Sequence, residues 1–174
     1  LGMKLSAFNL NVKLTTKREI PLESAFQGSK IFEKGGPFTD LYQKKPRDAK
    51  TDPRLRESGS LIGFDFCGQK WGIIPTTAFY DWLYIQAIQK MRNIFNKLSK
   101  YAGFTDIEFN PARSLNCQAR SCALFVSLHQ RNLLKKAIRS KEDFIRICYP
   151  TNTLSIKPEQ GEFCFQTDNA TNYK

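Results

Sequence analysis

Apolar and polar residues alternate loosely through MKLSAFNLNVKLTTKREI, residues 3–20, as they do in strands buried on one face. One or two strands are therefore predicted to open the fold. The period then changes. Pro21 stands where the first turn of a helix tolerates a missing N–H, and LESAFQGSKIF has helical spacing until Gly35-Gly36-Pro37 stops it. Gly28 inside that helix costs about 1 kcal/mol relative to alanine, which predicts a packing or close-approach reason for it. Residues 38–60 are cut by Pro46 and Pro53 and anchored by Leu41, Tyr42, Ala49 and Leu55, so they read as short helical turns joined by basic loops.

LIGFDFCGQKWGIIP predicts a hairpin with Gly68 in its turn. TTAFYDWLYIQAIQKMRNIFNKLSKYA predicts one long helix, with Phe79, Leu83, Ile88, Met91, Ile94, Phe95 and Leu98 as its buried stripe. GFTDIEFNP reads as a turn and a short strand. A last helix is predicted from near Cys117 to about Ile138, and KEDFIRICYP adds either a turn of helix or a strand. Residues 151–174 are polar and without period, which predicts a loosely attached tail beyond a domain at 3–150. The fold class expected is α+β: a mainly α-helical single domain with a small sheet or hairpin.

With 174 residues, 41% of them hydrophobic, the chain can bury one core. Charges interrupt the apolar residues throughout, so no run approaches the roughly 18 residues of a membrane span. The expectation is a soluble, cytoplasmic protein with no membrane partner. Leu1 and Gly2 read as a remnant ahead of a native start at Met3, and the following residues lack the apolar block of a secretory signal. The five cysteines lack zinc-knuckle spacing, and His129 is the only histidine, so reduced, mostly buried thiols are expected, with no metal and no cofactor. His129 lies in a helical stretch that assigns it to packing, which argues against Ser-His-Asp or Cys-His chemistry. The net charge of +11, from 27 Lys and Arg against 16 Asp and Glu, makes a field that attracts polyanions. Nucleic acid or a phosphorylated ligand becomes the leading partner, a merely basic soluble chain the alternative.

On a helix, positions 23, 27 and 30 fall within roughly 60° of one another, so Glu23, Gln27 and Lys30 share a face. Spacing alone is equally that of a solvated stripe. ESAFQGSKIFEKGGPFTDL, DAKTDPRLRESGSLIGF, TAFYDWLYIQAI and FNPARSLNCQARSCALFVSL, in this order between about residues 20 and 135, resemble the NADAR (YbiA-like) superfamily, and within it the NADAR proteins paired with DarT-type toxins. The wider family's first motif reads Glu-His-Tyr-Phe-Gln-Ala-Gln-Lys-Phe. This chain keeps Glu23, Phe26, Gln27, Lys30 and a phenylalanine at 32 after one inserted residue, with Ser24 and Ala25 where His and Tyr usually stand.

The resemblance implies a glycosidic hydrolase that removes ADP-ribose from guanine bases of DNA, single-stranded or with the base flipped out, reversing a DarT-type toxin as its antitoxin or counter-defence partner. ADP-ribose would be the product. It also implies Lys30 as a nucleophile that forms a Schiff base with the ribose carbon, and Glu23 as the group that moves protons. Direct attack by water, with Glu23 as base and Lys30 as electrostatic support, stays open beside it. Gln27 orients a ribose hydroxyl or the lysine, or only packs.

Gly35, Gly36, Arg47, Lys50, Arg54 and Arg56 offer amides and cations for phosphate, Arg54 foremost because Asp-Pro-Arg-Leu belongs to the branch pattern; Lys44 and Lys45 read as solvated charge. Trp71, Tyr80 and Trp82 are the candidates for stacking on a base, Trp82 being equally suited to the core. Asn116, Gln118 and Arg120 stand where the wider family enters its last helix near the ligand, although Asn116 also suits an N-cap. Asp106 corresponds loosely to an acidic residue of the YbiA-like branch. Two other function classes remain: a non-catalytic binder of ADP-ribose or nucleic acid that neutralises a toxin, and a hydrolase of a small-metabolite N-glycoside. Retention of both Glu23 and Lys30 argues against the first, and the charge against the second.

Overall fold

The computed structural model describes residues 1–106 and 116–150. The expected tail at 151–174, and residues 107–111 of the expected short strand, lie outside the described residues. A 3-10 turn at Gly2–Leu5 leads to β1 (Asn11–Lys13) and β2 (Glu19–Pro21), an antiparallel pair in which buried Val12 faces buried Ile20. This matches the alternation read from the sequence. Helix α1 (Leu22–Gly28) follows directly, and its first amides are already taken: Leu22 N donates to Leu10 O at 2.8 Å and Glu23 N to Ala7 O at 3.1 Å.

Helix α1 ends at Gly28, earlier than its spacing predicts. The Ser29 amide and hydroxyl both donate to Ala25 O, at 3.1 and 2.7 Å, closing the last turn. Lys30 then starts β3 (Lys30–Phe32), antiparallel to β4 (Leu61–Phe66), which pairs in turn with β5 (Gln69–Trp71). Ile31 and Phe32 fit a pleated surface better than a helix, and with a partner strand available the pairing overrides the helical period. Lys30 therefore stands across from Phe64, and Phe64 across from Trp71. The expected reason for Gly28 is present, since a Cβ there would sit 2.7 Å from the Tyr42 ring and 3.0 Å from Phe38 O.

The basic stretch folds as expected into a 3-10 turn at Thr39–Gln43 and short helices α2 (Pro46–Lys50) and α3 (Arg54–Glu57). The hairpin turn is Cys67-Gly68, both at positive φ, 55° and 84°, which suits the twist of β4 and β5. Helix α4 (Ala78–Ile88) is buried on nearly every side and forms the centre of the core, packed on α1 and β1. The single long helix predicted from Thr76 onward is broken after Ile88. Polar Gln89, Lys90, Arg92 and Asn93 supply little core contact, and Asn93 takes the left-handed conformation that asparagine tolerates, before α5 (Ile94–Leu98) resumes. A second left-handed asparagine, Asn132, likewise splits the predicted last helix into α6 (Gln118–Gln130) and α7 (Leu134–Ala137). KEDFIRIC resolves as helix α8 (Lys141–Cys148), capped by the Ser140 hydroxyl, which accepts from Asp143 N at 3.0 Å. Helices α6 and α8 pack on α4. No helix among the described residues is long and apolar enough to cross a membrane.

Candidate functional site

Every residue of α1 is buried, because Leu22, Ala25 and Phe26 are wanted by the core on one side while the basic stretch covers the other. Glu23 and Gln27 are carried inside with them, at 6% and 5% exposure. Burial of two polar side chains requires partners, and Gln27 Nε2 donates to Glu23 Oε1 at 2.9 Å. That bond fixes the amide's orientation. Gln27 Oε1 is left buried with no hydrogen-bond partner among the described residues.

Lys30 joins this pair from β3. The predicted shared helical face is replaced by a helix end and a strand start, yet the three groups still converge. The Lys30 amine lies 5.0 Å from the centroid of the Phe26 ring. Burial pushes its pKa below the ordinary 10.5; the Glu23 charge pulls it back up, and Lys50 adds to the lowering. Tyr80 closes the group, with its ring edge-on to Phe26 at 5.2 Å between centroids. Burial, and then the nearby Glu23 carboxylate, hold its phenol well above the usual range.

The other predicted site residues fall into separate groups. Gly35 and Gly36 shape the return after β3: Phe32 N donates to Gly35 O at 2.7 Å, and a Cβ on Gly36, at φ +90°, would stand 2.2 Å from Lys30 O. Their role in this structure is to seat the Lys30 backbone. Arg54 is gripped by two carboxylates, its Nε donating to Asp52 Oδ1 at 2.8 Å and Nη2 to Asp40 Oδ2 at 2.7 Å, and it lies over the Phe38 ring. Lys44 takes the second oxygen of Asp52 at 2.7 Å. Arg47 is exposed on α2. Trp71 is 4% exposed and, with half-buried Trp82, belongs to the core beneath the hairpin, the two rings 5.3 Å apart.

At the start of α6, Cys117 is the N-cap, so that role does not fall to Asn116. Cys117 Sγ accepts from Arg120 N at 3.3 Å, and Asp106 Oδ1 accepts from Ala119 N at 3.0 Å. Gln118 is the first, half-buried residue of α6. Arg120 turns to the buried Asp81, to Thr77 Oγ1 at 2.8 Å and to Tyr149 Oη at 3.1 Å, joining α4, α6 and α8. Sequence reasoning missed this Asp81 cluster, whose only sequence signal is an acid within an otherwise apolar helix. It also missed Asp40 and Asp52 as partners of the basic stretch.

His129 stacks on Phe95 at 3.5 Å between centroids, a packing role as expected. The four described cysteines are free, but only Cys122 is buried, and Cys67 is exposed in its turn, so the expectation of mostly buried thiols is corrected. Among the described residues, no three of His, Cys, Asp and Glu gather as a metal site would require.

No curated protein matches the chain. A sequence model of a family described as DarT1-associated NADAR antitoxin matches residues 1–157, well over half its length and including the whole of α1, β3 and the buried group they bring together. On the extent of that match, the chain belongs to the DarT1-associated NADAR antitoxin family.

Proposed function

We propose that this chain is a hydrolase that removes ADP-ribose from ADP-ribosylated guanine in single-stranded DNA, in the cytoplasm, and so reverses the modification placed by a DarT-type toxin. The observation that carries this reading is the half-buried Lys30, its amine's pKa lowered by desolvation, beside the buried carboxylate of Glu23. Lowering the pKa of an amine makes its neutral form easier to reach, and the neutral amine is a nucleophile for a carbon at the aldehyde level of oxidation.

The chemistry then follows in three balanced steps. The bond to be cut joins guanine N2 to the ribose C1″. Opening the ribose ring breaks C1″–O4″; Glu23 gives a proton to O4″ and takes the one that N2 releases as it becomes an imine. The Lys30 amine adds to C1″ and passes one of its protons to N2; as the C1″–N2 bond breaks, the second proton of that amine follows to N2. Guanine leaves with its amino group restored, and lysine holds C1″ as a Schiff base. Water adds to that carbon while Glu23 relays one of its protons to the lysine nitrogen; the remaining hydroxyl proton follows by the same carboxylate as the C1″–Nζ bond breaks, so that the aldehyde form of ADP-ribose departs and the lysine amine is restored. Gln27 Oε1, buried and without a partner among the described residues, is suited to accept a hydrogen bond from a ribose hydroxyl.

The pull of Glu23 on Lys30 toward the ammonium form favours a second reading, in which water attacks directly and Lys30 supplies charge. The function is tested by incubating the protein with oligonucleotides carrying ADP-ribosyl guanine and, in parallel, ADP-ribosyl thymine. Release of ADP-ribose from the first alone supports the proposal; release from neither overturns it in favour of a binding protein.

A further inference from the structure

The three aromatics that the sequence offers for base stacking are drawn inward: Trp71 and Tyr80 are buried and Trp82 is half-buried in the core. Phe8 is different. It is 38% exposed, and it sits next to Ala7, whose carbonyl accepts the Glu23 amide at 3.1 Å. The ring is therefore one residue from the backbone contact that seats the carboxylate of the candidate site. Its backbone amide donates to Ser6 Oγ at 3.3 Å, and the neighbouring Asn9 side chain ties the turn back to Met3 O at 2.8 Å.

Lys50, at the end of α2, places its amine 5.4 Å from the centroid of the Phe8 ring. It is exposed and takes no carboxylate among the described residues, whereas Lys44 and Arg54 on the same stretch are committed to Asp52 and Asp40. Lys50 is also near enough to Lys30 for its charge to act there. An exposed ring paired with an uncommitted cation, beside a buried reactive group, has the make-up of a contact for one nucleotide of a single strand: the ring's face for the base, the ammonium for its phosphate.

We infer that Phe8 and Lys50 form a nucleic-acid subsite that holds the nucleotide flanking the modified guanine of single-stranded DNA. The inference rests on the hydrolase reading for the identity of the substrate, but its test does not require turnover. Binding of a short, unmodified, guanine-containing single-stranded oligonucleotide is measured by fluorescence anisotropy over a range of salt, with thermal unfolding of each variant as the check on folding. Phe8→Ala is expected to weaken binding about tenfold, within the range of losing one base–aromatic stack, and Phe8→Trp to restore it. Lys50→Gln is expected to reduce the slope of log affinity against log salt by about 0.7, the value of one single-strand phosphate contact. Binding by folded Phe8→Ala within twofold of wild type overturns the subsite, as does failure of the wild-type protein to bind the oligonucleotide. Binding that depends on Phe8 in a protein that releases no ADP-ribose would instead remove the hydrolase reading and leave the subsite standing.

Discussion

Lys30 is under three influences of unequal sign: burial and Lys50 favour its neutral amine, and Glu23 favours the ammonium. The balance lowers its pKa, so the neutral, nucleophilic form is reached at lower pH than in an exposed lysine. If attack by this amine limits the rate, turnover at saturating substrate rises with pH through an apparent pKa below 10.5. Lys50→Gln removes one lowering influence and is expected to move that limb to higher pH. A limb that stays in place in this variant would separate Lys50 from the amine. Glu23→Gln keeps an acceptor for Gln27 but loses the titrating carboxyl, and it should reduce ADP-ribose release by roughly 100-fold or more, the usual scale for a positioned proton-transfer group. Release within threefold of wild type would exclude Glu23 from the proton transfers.

Secondary structure carries the site through a junction: α1 brings Glu23 and Gln27, and β3 brings Lys30. Tight contacts hold that junction. Gly28→Ala would force a Cβ against the Tyr42 ring at 2.7 Å and Phe38 O at 3.0 Å, so a loss of about 1–3 kcal/mol is expected from overpacking, measurable by urea unfolding. An unchanged midpoint would show that Tyr42 gives way freely. The convergence of Glu23, Gln27 and Lys30 was legible in the sequence, but for a partly mistaken reason. Helical spacing placed all three on one face, while the actual geometry depends on a strand partner, Phe64, that lies over thirty residues downstream and that no local period can reveal. The same limit explains the broken helices, where a left-handed asparagine ends a period that the apolar residues alone would continue. The hairpin was legible because its turn is local, Cys67-Gly68 between two short apolar runs. The sequence offers Arg54 as a cation for phosphate, and its partners Asp40 and Asp52 are recognisable only once the chain has folded back on itself.

Across the whole molecule, the charge of +11 suits an anionic partner, but the structure divides the basic residues around the site into two kinds. Lys44 and Arg54 are paired with carboxylates, and Arg47 and Lys50 are exposed on α2 without one among the described residues. Only uncommitted cations release counterions when DNA binds. Arg47→Ala is therefore expected to lower the salt slope of single-stranded DNA binding by about 0.7, and Lys44→Gln to leave it unchanged. Equal effects of the two substitutions would mean that the Asp52 pair opens on binding and that the division drawn here does not govern recognition.

The most direct test of the account is reductive trapping. Protein and oligonucleotide carrying ADP-ribosyl guanine, incubated with cyanoborohydride, should yield a chain heavier by one ADP-ribose, with the adduct mapped after digestion to the peptide that contains Lys30. Lys30→Arg keeps the positive charge without a nucleophilic amine and should lose trapping and turnover together. Turnover retained by Lys30→Arg, with no adduct on the wild-type chain, would contradict attack by lysine and assign the reaction to water.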